Sequence, residues 1–191
     1  LDPSIVDDGQ YAGILSSKLH ALLEDLDRVL GERHRVLVFS QFTSFLDRIG
    51  EALTDRGIAY ARLDGATRHR DDVLRGFREG EAGVFLLSLR AGGFGVTLTE
   101  ADYVFLMDPW WNPAAEEQAI DRAHRIGQDS SVMVYRMVAA GTIEEKVLDL
   151  QQRKTALTDA LWDDRGGPGG DGEGAFSRAL TAEDVRGLLE V

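Results

Sequence analysis

Apolar residues near the start of the chain recur at helical spacing. The stripe consists of leucines at positions 15, 19, 22, 23, 26 and 30. This spacing predicts an amphipathic helix over 16–31, which Ser16 or Ser17 can cap and Gly31 can end. Similar patterns predict further helices over 43–56, 70–79 and 114–126.

Short apolar runs lie between these helices. They occupy residues 36–39, 58–63, 84–87, 103–107 and 132–138. Runs of this kind are typical of strands that are buried on both faces, as in a parallel sheet. Because the runs alternate with helices, we predict an α/β fold with a mainly parallel central sheet and right-handed crossovers.

The last quarter of the chain has a different organisation. Thr142 and Glu145 have the spacing of a capping box, which predicts a long helix from there to about Trp162. The glycine-rich segment 166–175 predicts a flexible linker, and residues 176–191 contain a short final helix over 181–189. We therefore divide the chain into a domain over 1–165, the linker and a terminal segment.

Composition narrows the possible chemistry. The 191 residues are 43% hydrophobic, but no apolar run approaches the roughly 20 residues that span a bilayer. The absence of cysteine excludes disulfides, thiol catalysis and cysteine-ligated zinc. The four histidines are far apart in the sequence, so we predict no metal site. A net charge of −12 argues against indiscriminate coating of nucleic acid but allows a local basic strip.

Polar or glycine-rich segments follow four of the predicted strands. They are Ser40–Gln41, Asp64–Thr67, Ser88–Gly95 and Asp108–Pro113. Ligands of an open parallel sheet bind outside the carboxyl ends of its strands. We therefore expect the functional site at this edge.

The glycine loop within 88–95 has two interpretations. Gly92, Gly93 and Gly95 expose backbone N–H groups that can cradle a phosphate, yet the same loop can simply be a tight connection. The dinucleotide pattern GxGxxG fails because Leu98 occupies the position of its last glycine.

Arg122 and Arg125 also leave two interpretations open. They are three residues apart in a predicted helix, one turn after Gln118, so both guanidinium groups project from one face. They can meet an external anion, or they can form ion pairs with nearby carboxylates at positions 116, 117 and 121.

The tryptophans at positions 110 and 111 are adjacent in a segment bounded by Pro109 and Pro113. Two adjacent side chains of an extended segment cannot both point inward, so at least one should face a partner or a domain interface.

Taken in order, these segments resemble the SWI/SNF-type branch of the superfamily-two helicase-like ATPases. The resemblance covers about residues 35–154. It rests on 36–42, 63–65 with Arg70 and Phe77, 87–95, 108–113, 118–128 and 141–146. The chain departs from the family at Thr97, where asparagine is common, and in a shortened turn between Gly65 and Arg70.

The resemblance implies a RecA-like, three-layer lobe, the C-terminal one of two that face each other across ATP. ATP and Mg²⁺ would be held mainly by the N-terminal lobe, since this chain has no GxxxxGK[ST] motif. Arg122 and Arg125 would be arginine fingers, with Gln118, Gly93 and Gly95 beside the nucleotide. The full-length protein is then expected to hydrolyse ATP, whereas this chain alone is not.

The resemblance also implies that double-stranded DNA lies across the same edge. The residues that would face it are Ser40, Gln41, Thr67, Ser88, Arg90, Gly92 and Trp111. Further expected partners are the N-terminal lobe and DNA-bound proteins. Two roles stay open for residues 176–191, whose final helix either braces the N-terminal lobe or packs locally. No membrane partner is expected, and the protein would be nuclear in a eukaryote or nucleoid-associated in a bacterium.

Two alternatives to a motor remain. One is a non-catalytic interaction module that keeps the fold of the lobe. The other is a Rossmann-type cofactor enzyme or methyltransferase, which the failed glycine pattern and the paired arginines disfavour.

Overall fold

The structure is a computed structural model that describes residues 16–88, 98–110, 113–121 and 131–152. These residues form a parallel sheet between two layers of helices. The helices are α1 (Ser17–Gly31), α2 (Thr43–Asp55), α3 (Arg70–Glu79), α4 (Pro113–Ile120) and α5 (143–152). The strands are β1 (Val36–Ser40), β2 (Tyr60–Leu63), β3 (Val84–Ser88), β4 (Tyr103–Leu106) and β5 (Met133–Arg136).

The strand order is β2-β3-β1-β4-β5, and every pair is parallel. All five residues of β1 and all five of β3 are buried, as expected for central strands with a helical layer on each face. The predicted α/β class and mainly parallel sheet are therefore confirmed.

Two hydrophobic clusters fill the space between the layers. One packs the leucine stripe of α1 and the apolar face of α2 against Val36, Val38 and Leu86. The other packs Phe77 of α3 and Ala119 of α4 against the strand residues that point to the opposite face of the sheet, such as Leu37 and Phe85. Side chains of a strand alternate between its two faces, so each central strand contributes to both clusters. This arrangement is the predicted three-layer lobe.

The predicted elements differ from the observed ones mainly at their ends. Ser16 caps α1 as predicted, because its hydroxyl accepts a hydrogen bond from the backbone N–H of Leu19 at 3.4 Å. β2 begins at Tyr60 instead of residue 58. The reason is that Gly57 adopts φ +67° and Ile58 donates its N–H to Leu53 at 2.9 Å, which closes the end of α2.

The predicted capping box of α5 is present in a shifted form. The Thr142 hydroxyl accepts from the Glu144 N–H at 3.2 Å, whereas the Glu145 carboxylate accepts from Gly141 at 2.7 Å instead of from Thr142. Gly141 adopts φ +69°, a conformation that glycine reaches without steric cost. The helix therefore starts where predicted, but the Glu145 carboxylate accepts from the N–H of the residue before Thr142.

Within the described segments, no helix combines the length and apolar character needed to cross a membrane. The predicted end of the long helix, the predicted linker and the predicted terminal segment lie outside the described residues.

Candidate functional site at the carboxyl edge of the sheet

The carboxyl ends of four neighbouring strands meet at one edge of the sheet. Ser40 ends β1 and is the register partner of Ser88, which ends β3. Leu63, the last residue of β2, pairs with Leu87, so Asp64 emerges beside Ser88. On the other side, Leu106 of β4 pairs with Phe39. The register confirms the predicted convergence of these polar segments, which we call the carboxyl edge.

Asp108 organises the centre of this edge. Its carboxylate accepts the hydroxyl proton of Ser40 at 2.5 Å and the backbone N–H of Gln41 at 2.9 Å. Ser40 is fully buried and Asp108 is 2% exposed. Burial raises the pKa of the Asp108 carboxyl above its usual value, even though the Ser40 and Gln41 hydrogen bonds and nearby Lys18 act in the opposite direction. Asp108 thus fixes the turn after β1 to the segment after β4.

A buried ion pair supports the same segment from behind. The ammonium group of Lys18 donates to the Met107 carbonyl at 2.6 Å and forms a salt bridge with Glu144. The Glu144 carboxylate also accepts the Ala139 N–H at 2.9 Å. Burial alone would raise the pKa of Glu144, but the bonds from Lys18 and Ala139 lower it overall. Three distant parts of the chain, α1, the end of β4 and α5, are joined at this point.

Glu116 of α4 holds the next part of the segment. It is only 2% exposed, and its two carboxylate oxygens accept from the Trp110 N–H at 2.8 Å and from Nε of Arg136 at 3.0 Å. The side-chain amide of Gln151 donates to the Trp110 carbonyl and to Glu116 at 3.3 Å. α4 and α5 are therefore both attached to residues 108–110.

A compact turn forms the outer end of the edge, after β2. The Asp64 carboxylate accepts from the Ala66 N–H at 2.9 Å and from the Thr67 hydroxyl at 3.2 Å. Thr67 in turn accepts the Asp64 N–H at 3.0 Å, and Arg62 binds the other carboxylate oxygen at 2.9 Å. Burial alone would raise the pKa of Asp64, but the Ala66 N–H and the Arg62 charge lower it overall. These contacts fix the shape of the turn.

Five of the predicted site residues lie in the described part of the chain. Ser40 and Ser88 are buried, at 0% and 2% exposure, whereas Gln41 and Thr67 are half-buried and Gln118 is exposed. The Ser40 and Thr67 hydroxyls bind Asp108 and Asp64, so in this conformation they shape the loops of the edge.

The other predicted site residues lie outside the described residues. They are Arg90, Gly92, Gly93, Gly95, Trp111, Arg122 and Arg125. Their predicted contacts with nucleotide or DNA stay predictions, as do the DNA contacts of the five residues that are described.

Sequence reasoning missed the buried charges that support the edge. Lys18 carried a detectable signal, since it lies on the same helical stripe as Leu22 and Leu26, where an apolar residue would be expected. The sequence pattern places Glu144 only in a capping box. Glu116 is one of the predicted alternative ion-pair partners of Arg122 and Arg125, but its carboxylate is bound by Trp110, Arg136 and Gln151.

Most arginines of the described residues have a carboxylate partner. They are Arg28, Arg48, Arg56, Arg62, Arg75, Arg78 and Arg136. Arg35 is bound to backbone carbonyls. Two exposed arginines, Arg33 and Arg68, have neither an ion pair nor a side-chain hydrogen bond to any residue in the described segments.

The parallel sheet in this strand order, with helices on both faces and polar loops at its carboxyl edge, defines a RecA-like lobe. The family of the helicase conserved C-terminal domain matches residues 17–127. The chain therefore belongs to this family and is a C-terminal lobe of the SWI/SNF type.

Relatives of known name support this assignment. DNA repair protein RAD5 of Cryptococcus neoformans is 47% identical over 187 residues, which are 95% of this chain and 15% of that protein. DNA repair protein rad8 of Schizosaccharomyces pombe is 41% identical over 92% of the chain and 15% of its own length. SNF2 domain-containing protein ENL1 of rice is 44% identical over 75% of the chain. The chain thus spans about 15% of the length of these relatives.

Among solved structures, the C-terminal part of the Fun30 ATPase domain superposes with a TM-score of 0.68 at 37% identity. The match covers 71% of this chain and 45% of that one. Similarity in both sequence and fold supports the RecA-like assignment.

Proposed function

We propose that this chain is the C-terminal half of an ATP-dependent translocase or remodeller of double-stranded DNA. In this proposal it supplies arginine fingers and part of the DNA-binding face, and an N-terminal lobe supplies the phosphate-binding loop. The relatives named above are DNA repair and SNF2-domain proteins, which supports a role on DNA.

The orientation of α4 is the observation that carries the proposal. Glu116 and Ala119 face the interior of the lobe, at 2% and 3% exposure. Glu117 and Gln118 are exposed on the opposite side. Arg122 and Arg125 follow Gln118 by four and seven residues, the spacing of one helical face. The sequence spacing therefore predicts that both guanidinium groups share the helical face of Gln118.

Such cations suit the chemistry of phosphoryl transfer. In phosphoryl transfer, negative charge spreads over the oxygens of the γ-phosphate, and a guanidinium group can bind two of them at once. One of the three carboxylates near the arginines, Glu116, is buried and already bound to Trp110 and Arg136, whereas Glu117 and Asp121 are exposed. In this proposal the ligand of the arginines is an external anion, the γ-phosphate of ATP.

The carboxyl edge is suited to DNA of any sequence. Amide, hydroxyl and backbone N–H groups contact phosphates without reading bases. Gln41 and Thr67 reach the surface, while Ser40 and Ser88 would contribute through the loops that they shape. Opening and closing of the two lobes during ATP turnover would then move the DNA contacts of one lobe relative to those of the other.

Mg²⁺ belongs to the N-terminal lobe in this proposal. The central carboxylate of the carboxyl edge, Asp108, is bound to Ser40 and to the Gln41 N–H, which leaves it poorly placed as a metal ligand. The chain also has no GxxxxGK[ST] motif to hold the phosphates. Its own residues would complete the ATP site from the opposite side.

ATP hydrolysis by the full-length protein, with and without duplex DNA, tests the proposal. We expect hydrolysis that duplex DNA stimulates, and negligible hydrolysis by the 191-residue chain alone. A full-length protein that binds partners but never hydrolyses ATP would instead be a non-catalytic interaction module. Robust hydrolysis by this chain alone would contradict its role as half of a motor.

A further inference from the structure

We propose that Arg68 is an additional DNA-phosphate contact that extends the carboxyl edge past β2. This inference rests on the proposed function, since it takes duplex DNA as the ligand of that edge. Arg68 is not among the site residues predicted from the sequence.

The turn that carries Arg68 is held in place before any ligand binds. Asp64 fixes Ala66 and Thr67 through its carboxylate, and the Thr67 N–H donates back to the Asp64 carbonyl at 3.3 Å. On the other side, Nε of Arg70 donates to the Thr67 carbonyl at 3.4 Å. A residue between two such anchors is presented at little cost in backbone entropy, which favours binding.

The charge of Arg68 is unusual for this chain. The net charge is −12, and carboxylates pair with most arginines of the described part. Arg68 is exposed and has no partner in the described residues. The carboxylate of Asp72, in the first turn of α3, forms its ion pair with Arg75 instead. An exposed, unpaired guanidinium group in an acidic protein retains its full attraction for an external phosphate.

The turn that carries Arg68 follows the outermost strand on its side of the sheet. β2 is two strands away from β1, so the end of β2 lies roughly 10 Å from the end of β1, which Gln41 follows. This separation exceeds the axial rise of about 3.4 Å per nucleotide of one DNA strand. A duplex that contacts Gln41 can therefore place a different phosphate at Arg68.

The salt dependence of DNA binding by the full-length protein tests this contact. Affinity for a duplex of mixed sequence is measured from about 50 to about 200 mM salt for the wild type, Arg68→Gln and Arg68→Lys. Loss of one phosphate contact should lower the slope of log K against log salt by about one, so wild-type binding should weaken about threefold more than Arg68→Gln over that range. Arg68→Lys should keep the slope, since it keeps the charge.

Arg33→Gln is the matched control. Arg33 is the other exposed arginine without a partner in the described residues, but it lies before β1, at the opposite edge of the sheet. The same slope in Arg33→Gln and the wild type, with a lower slope in Arg68→Gln, supports the contact. Equal losses in both variants would show an effect of net charge and would overturn it, as would an unchanged slope in Arg68→Gln.

Binding and hydrolysis separate this inference from the proposed function. A reduced slope in Arg68→Gln, together with wild-type ATP hydrolysis that duplex DNA does not stimulate, would refute the proposed function and support the contact. DNA-stimulated hydrolysis by the wild type, together with an unchanged slope in Arg68→Gln, would support the proposed function and refute the contact. Absence of any DNA binding by the wild type would overturn the contact.

Discussion

The two edges of the sheet use similar residues for different purposes. At the amino edge, where the parallel strands begin, Arg35 lies just before β1. Its guanidinium group donates to the carbonyls of Phe77 at 2.7 Å, Arg78 at 3.2 Å and Gly80 at 2.8 Å. Its guanidinium carbon also lies 5.2 Å from the centre of the Phe77 ring. These contacts attach Arg35 to the C-terminal end of α3.

The amino edge also contains a carboxylate with a local role. Asp102, just before β4, pairs with His34 and accepts the Arg35 N–H at 3.2 Å. At the carboxyl edge, by contrast, Asp64 and Asp108 hold turns in position while Arg68 and Gln118 stay exposed. In the proposed function, the carboxyl edge therefore combines carboxylates that fix its turns with exposed groups that can meet ligands.

Lys18→Ala should give the largest loss of stability. It leaves Glu144 buried without its cation and removes the donor to the Met107 carbonyl. Removing one partner of a buried pair typically costs about 3–5 kcal/mol. Urea denaturation of the 191-residue chain, followed by circular dichroism, measures this loss.

The double variant Lys18→Met with Glu144→Gln is the control for this prediction. It removes both charges but keeps an acceptor for the Ala139 N–H. Most of the lost stability should return, since replacing both members of a buried pair is often close to neutral. A single variant as stable as the wild type would show that the pair does not support the carboxyl edge.

Arg35→Met should cause a smaller loss, about 2–3 kcal/mol, because three carbonyls near the end of α3 lose a charged donor while the apolar stem is kept. The same urea experiment measures it. Under conditions where the variant of the full-length protein is folded, DNA-stimulated ATP hydrolysis should be normal. A selective loss of DNA stimulation would remove the distinction between the two edges.

The pH dependence of stability should show the smallest effect. Because the pKa of Glu144 is lowered from 4.5 in the folded state, its contribution is present above pH 4.5 and is lost as the pH falls through the lowered value. Glu144→Gln should therefore lose less stability than the wild type as the pH is lowered below 4.5. Parallel pH profiles for the two proteins would argue against a charged Glu144 in the fold.

The sequence predicted the architecture because that information is local. Apolar periodicity located the helices and strands, and the polar residues after the strands predicted the convergence at the carboxyl edge. Element ends were less accurate, as at β2, because the turn formed by Gly57 and Ile58 depends on a hydrogen bond to Leu53 in the preceding helix.

The support of the edge could not be predicted in the same way. The contact between Lys18 and Met107 joins residues 89 positions apart, and the contact of Gln151 with Trp110 joins residues 41 apart. Such pairings depend on how the helices pack onto the sheet, which a single sequence does not encode as a pattern. Lys18 on an apolar stripe indicated that a buried partner was needed, but not which one.

In the proposed function, Arg122 and Arg125 complete an ATP site held by another lobe. This role is tested by ATP turnover of Arg122→Ala and Arg125→Ala variants of the full-length protein, with ATP binding measured in parallel. We expect turnover with duplex DNA to fall by on the order of 10³ or more while ATP still binds. Turnover at the wild-type rate in either variant would contradict it.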